Sequence, residues 1–166
     1  MRKSRLIFGI AAGIICVGWY LGFYFLEKKL FFHLGVYWGS WLPFAAAMLL
    51  AALRERKQTD GEYPWQQALR ACFSVFVIGA AIFQVFYFAF FNYGDPGLAA
   101  LQQEVIRENL MRYQEQLGPA ALEKLGKGAE VAELKYSAGT ALLTFARSTI
   151  GGFLVSLAMA FLVKKE

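Results

Sequence analysis

The chain has 166 residues, 58% hydrophobic and only 17% charged, where an ordinary soluble domain carries roughly a quarter charged. Its 16 Phe, 8 Tyr and 4 Trp gather in long apolar runs between short basic patches, which points to a polytopic membrane protein and disfavours a soluble enzyme. One His and 2 Cys leave too few soft ligands for a zinc or iron–sulfur site, and no basic face interleaved with stacking aromatics offers itself to nucleic acid.

A helix crosses the hydrocarbon of a bilayer in roughly 20 apolar residues, and four stretches approach that length. The first, residues 6–26, holds no charge and is flanked by Arg2, Lys3 and Arg5 before it and Glu27, Lys28 and Lys29 after it. It is too long for the apolar region of a signal peptide, and Ile15 before Cys16 does not suit lipoprotein cleavage, so a retained span is expected. The second, residues 34–53, has Pro43 near its middle, where a kink is expected, and ends at the basic residues Arg54, Arg56 and Lys57. A short polar connection follows. Trp65 to Arg70 forms an interfacial lead-in to the third span, residues 71–93, with Tyr63 and Trp65 suited to an aromatic belt.

Residues 95–136 are polar enough to lie in water. Asp95 and Pro96 start a helix there, because the carboxylate accepts free backbone amides and proline leaves no amide unpaired. Leu98, Leu101, Val105, Ile106, Leu110, Tyr113 and Leu117 recur at helical spacing until Gly118-Pro119, giving an amphipathic helix of about five turns. A weaker helix is expected over 120–134. The fourth span, residues 142–163, ends at Lys164 and Lys165. The expected fold is therefore all-α: an integral membrane four-helix bundle in one domain, with an extracytoplasmic amphipathic helical insertion between spans three and four.

Basic residues orient the chain. With both termini cytoplasmic, nine of the 17 Lys and Arg fall in the inner segments and seven outside, five of those diluted among the acids of the long segment. The basic balance is thus an orientation signal.

The segment Tyr63-Pro64-Trp65-Gln66-Gln67-Ala68-Leu69-Arg70, the span ending Phe90-Phe91-Asn92-Tyr93-Gly94, the Asp95-Pro96 pair and the basic ends resemble a family of small four-span bacterial membrane proteins, a domain of unknown function of the DUF4199 type. The resemblance covers nearly the whole chain. It implies an integral inner-membrane protein with four helices and a long extracytoplasmic insertion, and brings no catalytic residues.

Polar groups inside apolar spans are functional candidates by default. Gln84, near the centre of span three, needs a partner: either another helix or a pathway or ligand contact. Arg147 lies about one turn into span four. It can snorkel to head groups, form a bidentate pair with Asp95, or meet the phosphate of a lipid or lipid-linked sugar. His33 reads as an interfacial residue, and Cys16 and Cys72 lie at depths too different for a disulfide. Small residues recur every fourth position in span four, at Thr144, Ser148, Gly152, Ser156 and Ala160, and in span one at Gly9 and Gly13, then Gly18 and Gly22. These stripes suit close helix packing, within one bundle or against an oligomer or partner.

No catalytic residue, cofactor or metal site is assigned; Glu104, Glu108 and Glu115 form a solvated helix face rather than a general-acid pair. The expected role is a non-enzymatic accessory or scaffolding subunit, in contact with membrane lipids and with another membrane protein or further copies of itself. The alternative is a small oligomeric carrier or helper for a lipid-linked or phosphate-bearing substrate.

Overall fold

The computed structural model describes residues 3–59, 62–113 and 136–164, and contains no β-strand among them. Helix α1 covers Lys3–Leu26 and is followed by a 3-10 turn, Lys28–Phe32. Helices α2 (Leu34–Gly39) and α3 (Trp41–Lys57) together make the second span. Helix α4 (Trp65–Ala89) continues into a π-helical turn, Phe90–Gly94; α5 (Leu98–Tyr113) and α6 (Ala138–Val163) complete the described elements. Four of these units are long and apolar enough to cross a membrane, so the protein is an all-α, multi-pass membrane protein. The weaker helix expected over 120–134, and Gly118-Pro119, lie outside the described residues.

Each boundary has a local cause. The second span breaks at Ser40 rather than at Pro43 itself. Proline lacks the amide that would bond to the carbonyl four residues earlier, so the interruption falls one turn upstream. Ser40 Oγ donates instead to the Tyr37 carbonyl at 2.7 Å. His33 opens α2 by accepting the Gly35 amide on Nδ1 at 3.1 Å; it is a helix cap. Trp65 to Arg70 is the first part of α4 itself. Ser137 caps α6 by accepting the Thr140 amide at 3.1 Å.

Helix α4 is the hub. It packs against α1, α3 and α6, while α3 also touches α1 and α6, so α1 and α6 lie on opposite flanks. Both described chain ends lie at one end of the bundle, where Arg56 donates to the Val163 carbonyl; the opposite end, carrying the 3-10 turn and α5, is called the far end below. Most of each span stays outside the interior. Exposed Ile14, Ile15, Val85, Leu142 and Leu162 need hydrocarbon rather than water around them.

Small residues set two close approaches. A Cβ on Gly9 would stand 2.8 Å from Ile78 Cβ, and one on Gly13 would stand 3.0 Å from the Gly79 carbonyl, so α1 and α4 meet backbone to backbone. On α6, the Phe76 ring fills the space a Gly152 side chain would need. Ser156, fully buried, donates to the Gly152 carbonyl at 2.7 Å and lies 3.3 Å from Met48 Sδ. The stripes do not continue at Gly18 and Gly22: both are exposed and a Cβ there meets nothing within 4 Å. The reason is geometric, since those glycines project from the flank of α1 away from α4. Thr144 is exposed and Ser148 half-buried. Ser148 directs its hydroxyl to the Phe145 carbonyl.

Candidate functional site

The far end is built on aromatic rings. The 3-10 turn inserts Phe31 between α1 and α4, edge-on to Tyr20 at 5.2 Å and stacked on Tyr87 at 5.6 Å. Tyr24 meets Phe90 edge-on at 5.0 Å, and Tyr87 stacks on Phe91 at 5.7 Å. Such offset and edge contacts suit the ring quadrupoles and fix ring orientation.

Asp95 sits where α4 ends and the chain turns into α5. Its Oδ1 accepts the Gly97 amide at 3.0 Å and its carbonyl accepts the Leu98 amide at 3.0 Å, a turn that Pro96 pre-forms. The capping role expected from the sequence is thus present as a turn preceding α5. The pairing with Arg147 is not: Oδ2 accepts the Tyr24 hydroxyl at 2.8 Å and the Lys28 ammonium at 2.6 Å. Arg147 is exposed and makes no ion pair among the described residues. The physical reason is proximity, because α1 and the 3-10 turn abut the end of α4 at this point. Lys28 above all, then Tyr24, holds the Asp95 carboxyl below the usual carboxylate range, and Asp95 in turn raises Lys28.

Helix α5 is moored by the neighbouring lysine. Lys29 Nζ reaches Glu108 at 2.9 Å and Glu104 at 3.0 Å, one turn apart on α5; Glu108 and then Glu104 raise its ammonium. Leu98 and Ala99 are buried against Phe91. Glu104, Arg107, Glu108, Asn109 and Met111 remain exposed.

Gln84 finds its partner in Tyr136, the residue just before the α6 cap. The amide Nε2 donates to the Tyr136 hydroxyl at 2.6 Å. Asn92, inside the π-helical turn, donates to the carbonyls of Phe88 and Tyr136, both at 2.9 Å. One amide therefore serves the widened turn and the start of α6 together. Sequence reasoning found Gln84 but missed Tyr136 and Asn92; the signal for Asn92 was an amide in the last turn of an apolar span.

Gln84 lies on the walls of two cavities. One, about 350 Å³, is walled by rings including Tyr20, Phe83, Tyr87 and Tyr136, with Gln102 of α5 and Thr144 of α6 also on its lining. The other, about 330 Å³, is an open apolar groove between α4 and α6, lined by Val85, Phe88, Leu142 and Phe145 among others. Gln84 lines both.

The opposite end carries a pair that the sequence hides. Glu55, within the basic cluster closing α3, is 1% exposed; it takes Arg5 through Nε at 2.7 Å and Nη2 at 2.8 Å, with Ser4 Oγ 3.2 Å away. This two-bond fork locks the start of α1 to the end of α3. Its signal was a single acid among three bases at a span's edge. Cys16 and Cys72 are both buried free thiols.

No metal-holding group of His, Cys, Asp and Glu occurs among the described residues. The family described as "Protein of unknown function (DUF4199)" matches residues 7–165, and the chain belongs to it. Searches of curated proteins and of solved structures found no match.

Proposed function

We propose that this DUF4199 member is a non-enzymatic accessory or scaffolding subunit of a membrane complex, placed in the bacterial inner membrane with both termini cytoplasmic. The observation that carries this reading is the mooring of α5. Lys29 holds the helix through Glu104 and Glu108 while buried Leu98 anchors its start, leaving Arg107, Asn109 and Met111 exposed as a platform at the far end. A platform held by its own chain's charges loses little freedom when a partner docks. The denser basic clustering of the segments assigned to the cytoplasm supports the orientation, with α5 as the extracytoplasmic amphipathic insertion.

Purification in a gentle detergent, with photo-crosslinking from position 109, tests the reading. A membrane protein recovered in fixed stoichiometry and crosslinked there supports it; recovery of the chain with lipid alone overturns it.

A carrier or helper for a lipid-linked or phosphate-bearing substrate, acting as an oligomer, is the second reading. It is favoured by the exposed guanidinium of Arg147, which has no ion-pair partner among the described residues. Retention of a phospholipid or polyprenyl phosphate that Arg147→Ala abolishes would select it.

A further inference from the structure

We infer that the ring-lined chamber and the adjoining groove form one binding site for a neutral amphiphile of the prenyl-quinone type, with a flat carbonyl-bearing head in the chamber and an apolar tail in the groove.

The two cavities differ in the manner that such a molecule requires. The groove between α4 and α6 is lined by apolar side chains apart from Gln84, and its exposed Val85 and Leu142 place it on the hydrocarbon side of the bundle. A tail can enter it directly from the bilayer. Gln84 lies on the lining of both cavities, and in the chamber the surroundings change to rings with amide and hydroxyl groups. An amphiphile with one tail matches this sequence of surfaces.

The character of the head follows from the lining. Neither cavity has a charged lining residue among those described. A phosphate or ammonium head would therefore be desolvated there without a counter-ion, a cost that neutral heads avoid. The chamber's rings are held in order by contacts that do not involve a ligand: Phe31 stacks on Tyr87 and Tyr87 on Phe91. A flat ring gains by packing against a wall of ordered aromatic side chains.

The donors are also in place. The Tyr136 hydroxyl accepts from Gln84 and its own proton has no acceptor among the described residues. The second amide proton of Gln84 likewise has no acceptor among the described residues. Both groups lie on the chamber lining, and exposed Thr144 adds a hydroxyl. Groups with spare protons recognise carbonyl oxygens better than they recognise further donors. Asn92 holds the Tyr136 backbone and so fixes the base of the phenol.

The test uses the full chain in phosphatidylcholine nanodiscs and, as probe, a short-chain prenylated benzoquinone measured by titration calorimetry against protein-free discs. Saturable binding of one probe per chain is expected. Tyr136→Phe keeps the ring and removes the proton, and Gln84→Leu removes the amide at similar size; each should weaken binding by roughly three- to ten-fold, the worth of one hydrogen bond. Leu142→Trp, which fills the groove, should weaken it at least as much. A prenyl phosphate of equal tail length and a diacylglycerol should compete at least ten-fold less well.

Competition on the wild-type chain needs no variant, so the outcome stands even if one substitution fails to fold. Binding no greater than in protein-free discs overturns the site. Equal competition by the phosphate overturns the neutral head, and equal competition by the diacylglycerol overturns the flat ring and single tail. Undiminished affinity in well-folded Tyr136→Phe overturns the donor assignment.

Discussion

Tyr24 and Asp95, 71 residues apart in sequence, are joined by a 2.8 Å hydrogen bond in which the phenol donates to the carboxylate oxygen already taken by Lys28. Three elements depend on this one group: the end of α1, the 3-10 turn, and the turn into α5. A depressed carboxyl pKa in the folded state contributes stability above the unfolded value, near 3.8, and loses it as pH falls through the folded value. We therefore expect α5 to stay docked from pH 7 to pH 5 and to loosen below pH 3.8. Amide hydrogen exchange in α5 measures this. The contribution of Asp95 is the part of the acid response that Asp95→Asn lacks.

Arg147 should behave as an anchor rather than as a partner of Asp95. Arg147→Lys keeps charge and reach and should change thermal stability little. Asp95→Asn with Arg147→Ala should be additive within about 0.5 kcal/mol, whereas Asp95→Asn with Tyr24→Phe should couple by about 0.5–3 kcal/mol. A double-mutant cycle in detergent with the reverse pattern would overturn the assignment.

The Arg5–Glu55 pair predicts a large loss on truncation. Removing one member of a buried pair strands the other, at a cost of about 3–5 kcal/mol. Glu55→Gln should accordingly unfold at lower temperature or lower SDS fraction. Arg5→Lys should be intermediate, since it retains charge without the planar fork. A neutral Glu55→Gln would show that water reaches the pair.

Gly152 and Gly18 make a contrast within one residue type. Gly152→Ala drives a methyl into the Phe76 ring and should cost about 1–3 kcal/mol, relieved by Phe76→Leu. Gly18→Leu meets open space and should leave the monomer as stable as before. If Gly18→Leu instead dissociates an oligomer in native electrophoresis, the exposed flank of α1 is an interface between chains.

Orientation is tested by impermeant thiol labelling of Gln58→Cys and Asn109→Cys. The two native thiols are buried and should stay silent. The probes should react from opposite sides of the membrane, position 58 from the cytoplasm; reaction from the same side would defeat the proposed topology.

The spans are legible in the sequence because a charge-free run of some twenty residues can satisfy its backbone in hydrocarbon only as a helix. Pro43 was legible as a disturbance, but its missing amide leaves the Gly39 carbonyl, four residues back, without its helical donor, so the break lies just after Gly39, at Ser40. Side-chain partners were not legible. Asp95 faces Lys28 rather than Arg147 because helix rotation and the 3-10 turn decide which cation arrives, and periodicity carries no information about either. Glu55 was masked by the bases around it. Gly9 and Gly18 both begin a small-xxx-small pair yet one is packed and the other bare, since nine residues carry Gly18 about half a turn round to the other face of a helix of 3.6 residues per turn.

The flanking position of α6 bears on how the chain is assembled. It docks on α3 and α4 through Met48, Phe76 and Arg56, and lies on the flank opposite α1. The first three spans can therefore close on each other while the last is still being synthesised, and the final span then meets a prepared surface. A chain divided after α5 and expressed as two fragments should reunite in the bilayer, with Gly152 fitting against Phe76 as the mark of correct docking.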